Sequence, residues 1–99
     1  MSDERPVDRA LDLLGRRWAL RLIWELRRDA VSFSDLRERT GISPSVLSAR
    51  LGELEEADVL ERAGGRRYRL SGRGRELTRL LYEFNRWAER NQTGRVARN

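Results

Sequence analysis

Arginine is the residue type with the most chemistry to offer in this chain. All 21 basic side chains are arginine and none is lysine. A guanidinium is a planar fork that can meet a phosphate or a guanine edge with two parallel hydrogen bonds, which an ammonium cannot. Two causes compete for the missing lysine. One is codon bias from a GC-rich genome; the other is selection for phosphate and base recognition. The distribution of the arginines separates them in part. Arg62 to Arg79 holds seven arginines against one glutamate, a balance of +6, whereas Gly52 to Glu61 holds five acids and no base, a balance of −5. Codon bias alone would spread the arginines more evenly. A strongly basic stretch beside a strongly acidic one points to a surface that tracks a phosphate backbone, the alternative being a solvated charged hairpin.

Other chemistries are missing their residues. The chain has no cysteine and no histidine, which removes disulfides, thiol sensing, Cys/His metal sites and histidine-assisted nucleophiles. No pair of acids converges in a recognisable site, so an enzyme is not expected, nor a cofactor. Met1 to Arg5 is acidic, with no apolar run behind it, and does not read as a signal peptide. Arg21 and Glu25 interrupt the most apolar stretch, Trp18 to Leu26, so no membrane contact is expected. The absence of cysteine fits a cytoplasmic protein.

The arginines need elements to carry them. Ninety-nine residues, 38% of them hydrophobic, suffice for one domain and one small core. Pro6 followed by Val7, Ala10, Leu11 and Leu14 predicts an amphipathic helix that Gly15 ends. A second helix is expected from about Arg16 to Arg28, with Arg27 and Arg28 against the negative end of its dipole. Val31 to Phe33 is β-prone and long enough for a short edge strand. Ser34 reads as the cap of a short helix over about 35–39, and Gly41 as its left-handed end. Ser43 and Pro44 then open a helix near 44–57 striped by Leu47, Leu51 and Leu54. Helix, glycine turn and striped helix make a helix-turn-helix pattern. Val59 to Ala63 and Arg66 to Leu70 read as two strands joined by a two-residue turn at Gly64-Gly65. Ser71 caps a long last helix with one apolar face of Leu77, Leu80, Leu81, Phe84 and Trp87. The expected fold is mainly α with a small β-hairpin: one winged helix-turn-helix domain over 1–91, and a loose polar tail over 92–99.

The strings Phe33-Ser34-Asp35-Leu36 and Gly41 through Glu55, with Trp18, Val59 to Arg62 and Tyr68 to Ser71, resemble the HxlR-type winged helix regulators, relatives of the MarR group. The likeness runs over roughly residues 5 to 90. It implies a transcriptional regulator whose N- and C-terminal helices form a two-fold homodimer on an inverted-repeat operator of double-stranded DNA. Carried over, Ser43 to Arg50 is the stretch that faces the major groove. Where the family often has a long polar residue, this chain has the small Ser45 and Ala49. Where many members have a cysteine before the Pro-Val pair, it has Arg5, so thiol sensing does not carry over. Its wing is also shorter.

The residues expected to meet DNA are therefore Ser34, Ser43, Pro44, Ser45, Ser48, Ala49, Arg50, Arg66, Arg67 and Arg69. Ser45 and Ala49 lie opposite the leucine stripe and Ser48 on its flank. Ser43 could cap the helix, or open it toward a phosphate. Arg50 could read a guanine or pair with Glu53 one turn on. The dimer contact is expected from Val7, Leu11, Leu77, Leu80, Leu81, Phe84 and Trp87. A cleft between the first, second and last helices could hold a small effector of unidentified chemistry. Two other functions fit the pattern less fully: a winged helix that binds proteins, and a weakly specific architectural DNA binder.

Overall fold

The computed structural model describes residues 4–91; the expected tail at 92–99 lies outside the described residues. Helix α1 (Pro6–Leu14) starts where Asp8 reaches back to its N-terminus. The Asp8 carboxylate accepts from the Arg5 amide and from the Arg5 guanidinium, each at 3.1 Å. These bonds hold its carboxyl below the ordinary carboxylate range.

Helix α2 (Ala19–Glu25) is shorter than the periodicity implied. Its N-cap, Trp18, sits in the left-handed region at φ 80°. This is costly for a bulky residue and bends the chain sharply between the two helices. Residues 16–18 are therefore a junction, not a first helical turn. Arg27 and Arg28 fall beyond the helix, yet Arg27 still donates to the Trp24 carbonyl at 2.9 Å, and its guanidinium lies 3.9 Å from the Trp24 ring centre.

Strand β1 (Val31–Ser32) leads directly into α3 (Phe33–Thr40). The cap is Ser32, not Ser34, because the chain turns helical one residue after the strand and the Asp35 amide donates to the Ser32 hydroxyl at 3.1 Å. Gly41 closes α3 at φ 74°, as expected. Ser43 caps α4 (Pro44–Glu56), whose Leu47, Leu51 and Leu54 are buried.

The wing follows as β2 (Leu60–Ala63) and β3 (Arg67–Leu70). The register pairs Ala63 with Arg67, so the loop is Gly64-Gly65-Arg66 and not a two-residue turn. The positive φ angles fall on Gly65 (73°) and Arg66 (58°), while Gly64 is not among them. Strand β1 completes an antiparallel sheet of order β1-β3-β2, with Val31 opposite Tyr68.

Helix α5 (Gly72–Asn91) leaves the sheet at Ser71. Its first turn packs so closely that a Cβ on Gly74 would lie 2.2 Å from the Val59 carbonyl oxygen. Only glycine fits there without moving backbone. The core is one cluster in which Leu22, Ile23, Leu36, Leu47, Leu51, Leu54 and Leu60 are fully buried. Helix α1 buries none of its residues and leans on that core through the half-buried Leu13 and Leu14. Among the described residues no helix is long and apolar enough to cross a membrane.

Candidate nucleic-acid interface

Helix α4 divides cleanly by side. Its leucine stripe faces the core, and Ser45, Ser48, Ala49 and Gly52 are all exposed on the opposite side. This outward surface is unusually flat. It carries two hydroxyls and one methyl, and a Cβ added at Gly52 would meet nothing within 4 Å. Pro44 is exposed at the start of the helix. The exposed Ser43 hydroxyl accepts from the Val46 amide at 3.4 Å, so it caps. Ser34 is exposed in the first turn of α3, with its hydroxyl 3.3 Å from that of Ser32.

Arg50 does not share the outward face. Its Nε donates to the carbonyl of Arg17 at 2.9 Å, and one of its terminal nitrogens lies 3.4 Å from both carboxylate oxygens of Glu53. The pairing with Glu53 was one of two outcomes open from the spacing. The bond to Arg17 spans 33 positions, and no local pattern announces it.

The wing arginines differ in how free they are. Arg69 is paired with Glu61 at 2.7 Å across the hairpin, and Arg62 with Glu55 at 3.3 Å. Arg67 donates to the Gly64 carbonyl at 2.8 Å, which braces the tip. These pairs are exposed and each contributes on the order of 0–1 kcal/mol, so they can exchange for phosphate at little cost. Arg66 stands at the tip with no hydrogen bond or ion pair among the described residues. It holds a left-handed backbone that costs a non-glycine residue about 1–2 kcal/mol. The acidic and basic segments are thus partly neutralised against each other, which charge counting along the chain does not reveal.

The apolar face expected on α5 is split in two. Leu81 is 9% exposed and belongs to the domain's own core, and Leu77 is half-buried beside it. Leu80, Phe84 and Trp87 point outward, Leu80 67% and Phe84 60% exposed, and the Phe84 and Trp87 rings stack at 6.1 Å. The five residues form one ordinary helical face, but the side of α5 that packs on the domain runs through Gly74, Thr78, Leu81 and Asn85, so only the near edge of the stripe is covered. On α1, Val7 and Leu11 are exposed. A cleft of about 870 Å³ lies between α1, the end of α4 and α5, lined by Leu13, Leu14, Ala57, Val59 and Leu77 with Arg73 and Glu76 among its polar residues. It adjoins α4 rather than α2, contrary to the cleft expected from sequence.

This arrangement is that of a winged helix DNA-binding regulator. The chain belongs to the HxlR-like helix-turn-helix family, whose model matches residues 13–95. It is 32% identical over 88 residues to the HTH-type transcriptional regulator YvaP of Bacillus subtilis, covering 82% of each chain. Its fold resembles quinone-bound YodB from B. subtilis, with a TM-score of 0.79 and 31% identity over 88% of this chain and 99% of that one. A MarR-family regulator from Porphyromonas gingivalis shares the fold with a TM-score of 0.81 at 19% identity, over 92% and 96% of the two chains. The protein is a transcriptional regulator that binds DNA, and not an enzyme.

Proposed function

We propose that the chain acts as a two-fold homodimer on an inverted-repeat operator, with α4 in the major groove and the wing on the backbone. The observation that carries this reading is the uncovered apolar surface of the terminal helices: Val7 and Leu11 on α1, and Leu80, Phe84 and Trp87 on α5. Large apolar side chains left in water at two neighbouring ends of a small domain mark a contact surface. A second copy is the simplest self-complementary cover. Two-fold pairing presents two copies of α4, which is the symmetry of an inverted repeat.

In this reading the domain spans 1–91 and works in the cytoplasm. Ser34, Ser43 and Pro44 approach phosphates, while Ser45, Ser48 and Ala49 meet base edges and thymine methyl groups. Arg66 supplies the free charge of the wing, with Arg67 and Arg69 behind it. The cleft beside α1 and α5 is the candidate seat of a small effector. YodB has a quinone-bound structure, but this chain has no cysteine, so its effector binds without a thiol.

Selection from a pool of randomised duplexes tests the proposal. The expected result is enrichment of an inverted repeat with half-sites about one helical turn apart. Affinity should fall by ~10³–10⁵ between 50 and 200 mM salt, as for about 6–10 phosphate contacts. Equal binding to every duplex would favour an architectural binder, a reading to which the flat face of α4 lends support.

A further inference from the structure

We infer that Arg50 is a positioning residue that clamps the α1–α2 junction to the recognition helix, and that it does not read a base. The inference rests on α4 being the groove-facing helix. Three observations converge on it. First, Arg50 is turned inward: its side chain is only 22% exposed, and Nε holds the Arg17 carbonyl at 2.9 Å. Second, Glu53 binds both sides. It lies 3.4 Å from Arg50 on its own helix and 3.5 Å from Arg16 in the junction. Third, the clamped carbonyl immediately precedes Trp18, whose φ of 80° makes the bend. The Arg17 guanidinium lies 4.9 Å from the Trp18 ring centre.

The geometry gives Arg50 one job on each element. A left-handed tryptophan persists only where its surroundings hold it. Here the hold comes from α4, through a charged donor on the carbonyl before the bend. The direction in which α1 leaves the domain is therefore tied to the seat of α4. Whatever grips α1 also bears on the recognition helix, through Arg50 and Glu53 on one side and Arg16 and Arg17 on the other. Bonds to charged partners of this kind are the stronger hydrogen bonds of a protein.

The test has one arm without DNA and one with it. In the first, hydrogen exchange is followed at residues 16–22 in the full chain and in Arg50→Ala. Faster exchange confined to that junction is expected, and an unchanged junction would overturn the clamp. In the second, base preference is measured on the randomised duplex pool for wild type, Arg50→Ala, Arg16→Ala and Glu53→Gln, at a temperature where circular dichroism shows each fully folded. All three variants should lose affinity in the same direction, Arg50→Ala by about tenfold, with the preference at every base pair preserved. If Arg50→Ala relaxes one base-pair position while Arg16→Ala binds as wild type, Arg50 reads DNA and the inference fails. It fails too if the junction loosens with no loss of affinity. Should Arg50→Ala not fold, Arg50→Lys and Arg16→Ala carry both arms. A wild type that selects no sequence would defeat the operator reading alone, because the exchange arm still decides the clamp.

Discussion

Helices α4 and α5 are both amphipathic, but only one of them is complete within the domain. Helix α4 has 13 residues and buries Leu47, Leu51 and Leu54, leaving small or charged residues outside. Helix α5 has 20 residues and buries only Gly74 and Leu81, leaving Leu80, Phe84 and Trp87 in water. A helix whose apolar side is fully covered is held by its own domain. A helix that keeps large apolar residues outside is half of a contact. The two helices thus mark the two tasks of the molecule, α4 offering a bare surface to a polar ligand and α5 an apolar one to another chain.

Three substitutions test the difference between the two helices. The largest effect is expected from Leu51→Ala. It empties a fully packed site and should cost ~2–5 kcal/mol in urea unfolding, by the same amount at every protein concentration. Phe84→Glu comes next. In an isolated domain it would change little, because the ring is exposed; in a dimer it removes about 1.5–3 kcal/mol per subunit. Light scattering should then report a monomer, and the melting temperature should lose its dependence on concentration. A variant that scatters and melts as wild type would mean α5 is not the contact. The smallest effect is expected from Gly52→Ala. The methyl meets nothing, and removing a glycine from a helix interior should raise stability by about 0.5–1 kcal/mol. A loss of stability would show that the outer face of α4 is less open than its geometry indicates.

Much of this was legible in the sequence because local rules decide it. Ser43-Pro44 opens a helix, Gly41 ends one, and leucines four and three apart choose the buried side of α4. Tyr68 and Leu70 alternate with Arg67 and Arg69, and the strand faces the core as that alternation requires. What local rules could not supply were contacts between distant residues and exceptions to ordinary backbone. Trp18 carries no mark of its left-handed turn, so apolar periodicity alone runs α2 on through it. Arg66 gave no sign that a non-glycine would hold the wing tip. Ser34 and Ser32 are equally good caps by type, and the end of β1 chose between them. The split of α5 depends on where α2 and the sheet lie, which helical periodicity alone does not know.

Among the described residues, Ser71 is the one polar or charged residue that is buried, at 4% exposure. Its hydroxyl donates to the Asp58 carbonyl at 2.6 Å, with the Val59 carbonyl sharing that hydrogen at 3.1 Å, and it accepts from the Gly74 amide at 3.0 Å. One oxygen therefore joins the exit of α4, the root of the wing and the first turn of α5. In mechanical terms this is a rivet through three plates. Swinging the hairpin on its base would break these bonds, so the hairpin and α5 are expected to open and close as one cooperative unit.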